Sequence, residues 1–245
     1  MSTEPIKNAA PVSKARTIAI IPAAGMGSRM GHKKKNYLKL LGKPVLAHTL
    51  APFESCANIN AIIIVVPRSD VDYCQKSIVK KYGFTKVVAI VIGGSERQHS
   101  VSNGIKAALP FDPAVIMVHD GARPLVTETI IEETLRATKS CGAAICAIPV
   151  KDTIKESLSG YVKATIEREA LRAVQTPQAF KRDIIVEAYR LAQEDGVLCT
   201  DESALVERTG AKVRIVCGSY ENIKITTPED LAVASSIMRA RAKAG

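Results

Sequence analysis

The sequence contains no tryptophan, and aromatic residues make up only 4% of its 245 residues. Proteins that bind single-stranded RNA stack bases on exposed aromatic side chains, and this chain has few of them to offer. Its net charge of +10 nevertheless favours polyanionic partners, which include nucleic acids and phosphorylated metabolites. The composition therefore argues against an RNA-binding module, which we keep as the alternative from another functional class, and we expect no nucleic-acid partner.

Long apolar runs are also missing. The longest ones, Ala61–Val66 and Ala143–Val150, fall far short of the roughly 18 residues that a membrane-spanning helix needs. The first 16 residues are mixed and polar and contain no hydrophobic stretch of the kind found in secretory signals. We therefore predict no membrane association, a disordered tail at residues 1–16, and a bacterial-type cytoplasmic protein.

Paired cysteine motifs are absent, since none of the 6 cysteines stands in a Cys-x-x-Cys spacing. That spacing is a common signature of zinc sites and of thiol oxidoreductases. Most of the cysteines lie within apolar or helical stretches, where a thiol usually serves as a small core residue. We interpret them as reduced core thiols of a cytosolic protein.

What the sequence does contain, over its first 150 residues, is an alternation of short β-branched runs with longer amphipathic segments. The runs predict buried strands, and the segments between them predict helices that begin near Pro44, Ser69 and Thr127. This alternation is typical of an α/β fold in which a mostly parallel, twisted sheet carries helices on both faces. Ligands of such sheets bind beyond the carboxyl ends of the strands. The predicted strands are Thr17–Pro22, Ala61–Pro67, Lys86–Ile92 and Ala114–His119.

A different pattern follows Val150. Gly160 separates two polar pieces of alternating hydrophobicity, Thr153–Leu158 and Tyr161–Ile166. Two such pieces around a glycine are typical of a β-hairpin. We therefore predict a small β-arm at about residues 151–170 that projects from the main sheet.

The remainder of the chain returns to mixed helices and strands. Its predicted elements are a helix at Lys181–Glu194, strands near Lys212–Val216 and Asn222–Ile225, and a final helix that opens at Thr227–Asp230. No internal repeat or flexible linker interrupts the pattern. We therefore predict a single domain over residues 17–241, of which the arm is a part.

The first stretch with chemical content runs from a predicted strand directly into a glycine-rich loop. Small residues in such a loop let backbone N–H groups approach a phosphate closely, and the cations Arg29 and Lys35 suit a triphosphate. No Gly-Lys-Ser/Thr closes the loop, and Met30 stands where a dinucleotide fingerprint needs its third glycine. A P-loop kinase and a Rossmann dehydrogenase are therefore disfavoured. The stretch reads Ile20-Ile21-Pro22-Ala23-Ala24-Gly25-Met26-Gly27-Ser28-Arg29-Met30-Gly31.

The second informative stretch is the end of the fourth predicted strand. Asp120 and, three residues on, Arg123 stand at the edge where an α/β sheet binds its ligands. One carboxylate together with phosphate oxygens is a common way to hold Mg²⁺, so Asp120 is a candidate ligand for Mg²⁺ or another divalent cation. His119, which lies on the strand itself, is interpreted as a packed histidine. The stretch reads Val115-Ile116-Met117-Val118-His119-Asp120-Gly121-Ala122-Arg123-Pro124.

Further motifs follow these two stretches in order, namely Gly93–Val101, Pro149–Lys155, Gln175–Gln178, Thr200–Ser203 and Asn222–Thr226. Together the motifs closely resemble the 2-C-methyl-D-erythritol 4-phosphate cytidylyltransferase family of the non-mevalonate isoprenoid pathway. The resemblance spans about residues 17–240 and implies a nucleotidyltransferase-type Rossmann-like fold. One departure is Lys34-Lys35-Asn36, where the family usually has Pro-Lys-Gln, and it leaves Lys34 as the alternative to Lys35.

The resemblance implies roles for individual residues. Those implied to surround the nucleotide are Ala23, Ala24, Gly25, Gly27, Gly94, Ser100 and Asp120. Those implied to contact the triphosphate and act catalytically are Arg29, Lys35 and Lys224. Those implied to bind the acceptor are Asp120, Arg123, Thr153, Arg168, Thr176 and Lys224, and Asp120 would also serve the metal. Thr153 and Arg168 would come from the arm of the neighbouring subunit, so the resemblance implies a homodimer.

Two charged residues within the matching motifs have no role assigned. Arg97 either touches the nucleotide or faces solvent in the first turn of a helix. Asp201 is interpreted as the acid that begins a helix.

The reaction implied by the resemblance is the transfer of CMP from CTP to 2-C-methyl-D-erythritol 4-phosphate, with release of pyrophosphate. The acceptor phosphate, already an anionic nucleophile, attacks the α-phosphorus in line, so cations and a divalent metal matter more than a general base. This fits a sequence rich in Arg and Lys without an evident Ser-His-Asp set. The alternative among enzymes is a cytidylyltransferase for another polyol phosphate such as ribitol 5-phosphate, and a nucleotide sensor without catalysis also stays open.

Overall fold

A computed structural model describes residues 17–25 and 34–244, with the backbone alone at Ala244. Seven of its strands form one sheet, in which every neighbouring pair is parallel except the two pairs that involve the long strand at Arg172–Lys181. The strands are β1 (Thr17–Pro22), β2 (Lys39–Leu40), β3 (Lys43–Pro44), β4 (Ala61–Val66), β5 (Val87–Ile92), β6 (Val115–Val118), β7 (Ala143–Pro149), β8 (Ile154–Leu158), β9 (Tyr161–Ile166), β10 (Arg172–Lys181) and β11 (Arg214–Cys217). The order in the sheet is β11-β7-β10-β6-β1-β4-β5, which confirms the mostly parallel α/β sheet.

Helices connect these strands. They are α1 (Val45–Ser55), α2 (Val71–Tyr73, which continues as a π-helix over Cys74–Lys80), α3 (Arg97–Ala108), α4 (Glu128–Cys141), α5 (Arg182–Glu194), α6 (Glu202–Glu207) and α7 (Pro228–Ala244). Among the residues that the structure describes, none of these helices has the length and apolarity needed to cross a bilayer.

Alternate residues of the central strands face opposite layers of helices. Ile21 of β1 and Ile62 of β4 belong to a core shared with α1 and α4. Ile20 of β1 and Ile63 of β4 belong to a second core, shared with α3 and α5. Both strands are therefore buried on both sides, as parallel strands usually are, and the expected helices on both faces are confirmed.

The packing of α3 is close enough to predict a stability effect. A Cβ at Gly104 would lie 2.5 Å from Cγ2 of Ile20 and 3.2 Å from Cγ2 of Val65. Overpacking of this kind costs about 1–3 kcal/mol, whereas alanine in place of glycine gains at most about 1 kcal/mol in a helix. We expect Gly104→Ala to lower the free energy of unfolding by about 1–2 kcal/mol.

Urea unfolding measures this effect. Lys106→Ala, at an exposed position of the same helix, is the matched control and should leave the free energy of unfolding nearly unchanged. A Gly104→Ala protein as stable as the wild type would show that α3 does not pack against the sheet in this way.

One expectation about strands is wrong, and one long strand was not predicted. Asn222–Ile225 is a loop, in which the Ile225 N–H donates to the carbonyl oxygen of Ala122 at 2.8 Å. Conversely, the predicted strands did not include β10, which runs antiparallel to both of its neighbours. Its glutamines and Pro177 hide the strand pattern, and its pairing with β7 shifts register between Val174 and Gln178.

The predicted arm is present as the antiparallel pair β8 and β9, and Ser159 and Gly160 turn between them with positive φ. Nearly all of its residues are exposed to solvent.

All six cysteines are free thiols, and three of them, Cys56, Cys74 and Cys146, are buried. The interpretation as core thiols is wrong for Cys141 and Cys217, which are exposed. The tail at 1–16 and two site candidates, Gly27 and Arg29, lie outside the described residues.

Candidate active site

Asp120 lies just beyond the carboxyl end of β6, at the edge where ligands of an α/β sheet bind. The backbone continues to follow β1 there, because the His119 N–H donates to the Ile20 carbonyl and the Gly121 N–H to the Pro22 carbonyl, both at 3.0 Å. The position of Asp120 is thus set by the central strands of the sheet.

Three cations surround the Asp120 carboxylate, which is 6% exposed. Its Oδ1 lies 3.2 Å from Nε of Arg97, and its Oδ2 lies 2.9 Å from Nζ of Lys224 and 3.4 Å from Nε of Arg123. Burial alone would raise the pKa of Asp120, but the charges of Arg97, Lys224 and Arg123 outweigh it and hold the pKa well below its ordinary value. Asp120 is therefore ionised at any physiological pH.

The loop at 222–225 brings Lys224 to this carboxylate. Nη1 of Arg123 donates to the carbonyl of Asn222 at 2.8 Å, and Nδ2 of Asn222 donates to the carbonyl of Thr176 at 2.9 Å. Oγ1 of Thr176 in turn accepts from the backbone N–H of Asp120 at 3.0 Å. The structure thus brings together the four residues Asp120, Arg123, Thr176 and Lys224.

His119 supports this cluster from inside the protein. Its ring is fully buried against Phe53, with Nε2 near the carbonyl of Arg123 at 3.1 Å and Nδ1 near Oγ1 of Thr176 at 3.1 Å. Burial lowers the pKa of His119 to about 4, so the ring is neutral at physiological pH. His119 is thus packed in the core, as its place on the strand predicts.

The candidate nucleotide residues form the adjoining edge. A Cβ at Gly93 would lie 2.5 Å from the Cβ of Ala24, and one at Gly94 would lie 2.4 Å from the Cβ of His99, so no side chain fits at either glycine. The Gly94 N–H donates to Oγ of Ser100 at 3.1 Å. This edge adjoins the cluster around Asp120. A Cβ at Gly121, the residue after Asp120, would lie 3.0 Å from the Cβ of Ala23. Gly25, the residue after Ala24, is exposed to solvent.

The two candidate lysines after the loop differ in their surroundings. Lys34 makes an ion pair with the buried carboxylate of Asp70. Lys35 is half-buried and begins a short 3₁₀ turn, which Asn36 fixes to β1 by donating from Nδ2 to the carbonyl of Ala23 at 2.7 Å. The expectation that Lys35, and not Lys34, is directed at a ligand stays a prediction.

The two candidates on the arm lie apart from this cluster in the described chain. Thr153 is exposed, and Nη1 of Arg168 donates to the carbonyl of Lys151 at 2.9 Å. The ion pairs of Asp120 are instead made with Arg97, Arg123 and Lys224. The expectation that Thr153 and Arg168 serve a neighbouring subunit stays a prediction.

Sequence reasoning gave no role to a buried acid at this site, Glu202. Both terminal nitrogens of Arg97 donate to its carboxylate, at 2.7 and 3.0 Å. Arg97 therefore bridges two acids with a side chain that is 29% exposed, and the expectation that it touches the nucleotide stays a prediction. Asp201 does begin α6, since its Oδ1 accepts from the backbone N–H of Ala204 at 3.0 Å. The motifs that contain these residues were visible, but their pairing across the fold was not.

Comparison with known sequences decides the family. A sequence profile of IspD, described as 2-C-methyl-D-erythritol 4-phosphate cytidylyltransferase, matches residues 17–240. The chain belongs to the IspD family. The relative of that name from Desulforamulus reducens is 49% identical over 226 residues, which are 91% of this chain and 96% of the relative. The relative from Alkaliphilus oremlandii is 49% identical over 228 residues, with 92% and 96% covered.

Solved structures of the family share the fold. The 4-diphosphocytidyl-2C-methyl-D-erythritol synthase of Anaerococcus prevotii superposes with a TM-score of 0.81 at 33% identity, covering 93% of this chain and 100% of the other. The cytidylyltransferase of Thermus thermophilus gives a TM-score of 0.74 at 30% identity, covering 90% and 98%. The IspD fold therefore extends over nearly the whole chain.

Proposed function

We propose that the cluster around Asp120 is the place where this IspD enzyme transfers CMP from CTP to 2-C-methyl-D-erythritol 4-phosphate. The chain is a nucleotidyltransferase of the non-mevalonate isoprenoid pathway by its family, which does not favour ribitol 5-phosphate transfer or RNA binding. The main support for this location is the buried, ionised Asp120, which lies among three cations. It lies beside the close-packed edge that contains Ala24 and Gly94.

The chemistry that the site must perform is the joining of two anions. An oxygen of the acceptor phosphate attacks the α-phosphorus of CTP, and the bond from that phosphorus to the β-phosphate bridging oxygen breaks. Pyrophosphate leaves with the electron pair, and CMP stays attached to the acceptor. Because the attacking phosphate is already an anion, the barrier comes from charge repulsion, which preorganised cations lower.

We assign different residues to the two substrates. We assign the nucleotide to the edge that contains Ala23, Ala24, Gly25, Gly94 and Ser100, continued by Gly27. The acceptor phosphate is assigned to Arg123, Thr176 and Lys224 beside Asp120. Lys224 is assigned to both substrates, and Lys35 and Arg29 are assigned to the triphosphate.

A divalent cation suits the chemistry of Asp120. Its carboxylate is ionised, and the Lys224 side chain that contacts it is 35% exposed. Asp120 together with phosphate oxygens of the substrates would hold Mg²⁺ or another divalent cation. When bound, the cation would neutralise charge that develops on the phosphate oxygens during transfer.

We also propose that the arm joins two copies of the chain. Its tip exposes three large apolar side chains, Leu158 at 66%, Tyr161 at 80% and Val162 at 65%. Exposed apolar patches of this kind mark interaction surfaces, and a second copy of the chain would cover them. The arm would then deliver Thr153 and Arg168 to the neighbouring active site.

The six free thiols fit a reducing, cytoplasmic compartment.

The arm gives a specific kinetic prediction. We expect Arg168→Ala to raise the KM for the sugar phosphate by about tenfold and to change the KM for CTP far less, because the lost guanidinium would bind only the acceptor phosphate. Arg190→Ala, at a half-exposed arginine of α5, is the matched control. The reverse pattern, a larger rise in the KM for CTP, would remove Arg168 from the acceptor site.

A substrate panel tests the proposed function itself. Pyrophosphate release is measured with each of the four nucleoside triphosphates against methylerythritol phosphate and ribitol 5-phosphate, with and without Mg²⁺. We expect release only with CTP, methylerythritol phosphate and Mg²⁺ together. A preference for ribitol 5-phosphate, or no release with any pair, would overturn it.

A further inference from the structure

Three sequence motifs meet behind Asp120. They are the segments 93–101, 175–178 and 200–203, each singled out by the sequence. Arg97 from the first segment makes two hydrogen bonds to Glu202 of the third, at 2.7 and 3.0 Å. Its third nitrogen, Nε, donates to Oδ1 of Asp120 at 3.2 Å. Arg97 is thus a rigid bridge between the active-site acid and a second acid.

The second acid is fixed more firmly than a surface carboxylate. Glu202 is 1% exposed, and its Oε1 also accepts from the hydroxyl of Tyr189 at 3.1 Å. The neighbouring residues of α6 are attached to β10, since Nε2 of Gln178 donates to Oδ2 of Asp201 at 2.8 Å and the Ser203 N–H donates to Oε1 of Gln178 at 3.1 Å. The sheet itself therefore sets the position of Glu202.

This arrangement controls how Arg97 meets Asp120. A guanidinium group with free terminal nitrogens grips a carboxylate through two parallel hydrogen bonds. Here the end of the guanidinium pairs with Glu202 through both terminal nitrogens, and the hydrogen bond to Asp120 is made by Nε. The guanidinium of Arg97 is permanently charged and lies between two carboxylates. Glu202 thus balances the charge of Arg97 and leaves the Asp120 carboxylate only partly engaged by it.

We infer that Glu202 and Tyr189 are positioning residues, which hold Arg97 so that it orients Asp120 without neutralising it. The inference rests on the proposed function of the Asp120 site. Without Glu202, Arg97 turns its two terminal nitrogens onto Asp120 and neutralises that carboxylate. Without Tyr189, Glu202 keeps its charge but loses one of the contacts that fix its direction.

Three variants test the inference by their kinetics. Glu202→Gln keeps the shape and removes the charge, Arg97→Lys keeps the charge and removes the fork, and Tyr189→Phe removes one hydroxyl. We expect the first two to lower kcat by about tenfold to a hundredfold, because small displacements of a catalytic group have effects of that size. Tyr189→Phe should lower it a few-fold, and the KM for CTP should change less than threefold in each. Glu187→Gln and Arg190→Lys, from an exposed pair on α5, are the matched controls.

Two further measurements separate positioning from a loss of folding. Thermal unfolding gives the folded fraction at the assay temperature, to which each kcat is normalised. Added guanidine at millimolar concentration should restore part of the activity of Arg97→Ala, whose site opens to solvent because the Arg97 side chain is 29% exposed. A general loss of structure would not be repaired in this way.

A spectroscopic measurement tests the inference independently of enzyme activity. The side-chain Nε–H signal of Arg97 in a ¹⁵N–¹H spectrum should exchange slowly in the wild type and should shift in Glu202→Gln. If the wild type turns over its substrates, but folded Glu202→Gln and Arg97→Lys have normal kcat, this inference is overturned and the proposed function stands. If the wild type is inactive, the proposed function fails, and an unchanged Arg97 signal in Glu202→Gln would overturn the inference as well.

Discussion

Replacing Lys224 with alanine should lower kcat for cytidylyl transfer by a hundredfold or more, the effect of removing one preorganised charge donor from a transition state. The ammonium group lies 2.9 Å from Oδ2 of Asp120 and is held there by the loop at 222–225. Its side chain is 35% exposed, so it can turn from Asp120 to a substrate phosphate without breaking the fold. Steady-state kinetics with both substrates measure the effect.

The control for this prediction is Lys139→Ala, at an exposed lysine of α4, which should keep normal turnover. Lys224→Ala should also unfold at nearly the wild-type urea concentration, because the Asp120 carboxylate keeps Arg97 and Arg123 as partners. A variant that folds and turns over normally would remove Lys224 from the reaction.

Asp120→Asn has the second large expected effect, on both activity and stability. The amide cannot balance three cations or hold a divalent ion, so we expect kcat to fall by about a hundredfold to a thousandfold. The cations left behind remain partly buried, with Arg123 12% and Arg97 29% exposed. Removing one partner of a buried pair costs about 3–5 kcal/mol, and the partial exposure of the cations reduces the expected loss to about 2–3 kcal/mol.

The stability effect of Asp120→Asn has a definite pH dependence. The pKa of Asp120 is lowered in the folded protein from a reference value of 3.8, so its contribution is present in full above that value. It is lost only as the pH falls below about 4, where the unfolded chain takes up a proton and the folded protein does not. Urea unfolding should therefore give a constant difference between wild type and variant from pH 8 to 5.

The same urea measurement can also contradict the prediction. A difference that grows as the pH falls from 7 to 5 would mean that the folded protein protonates Asp120 above its ordinary pKa, so that burial and not the three cations sets that pKa. Asp183→Asn, at an exposed acid of α5, is the control and should show no such difference at either pH.

The parts of the fold that sequence predicted well are those with a local signal. β1 and β4 are runs of β-branched residues buried on both sides, and no other local structure suits such a short apolar run between turns. The loop at 222–225 was mistaken for a strand because its isoleucines alternate with polar residues. That alternation has another cause, since Ile225 is buried in a small core with Leu40 and Leu125 while Lys224 reaches Asp120.

The residues of the candidate site also differ in how far the sequence predicted them. The position of Asp120 follows from a general rule about the ends of parallel strands, and its proposed partners Arg123, Thr176 and Lys224 came from family resemblance. The pair of Arg97 and Glu202 could not be predicted, because the two residues are 105 positions apart and each looks locally like an ordinary charge in a helix turn. Only the folded sheet shows that they meet.

A crystal structure of the protein with CTP and Mg²⁺ tests the location of the reaction most directly. We expect the cytosine and ribose against Ala24, Gly94 and Ser100, and the α-phosphate between the glycine-rich loop and Asp120. The acceptor side, lined by Arg123, Thr176 and Lys224, should remain open next to that phosphate. A nucleotide bound away from the carboxyl ends of β1, β5 and β6, with Asp120 still enclosed by its three cations, would contradict the proposed site.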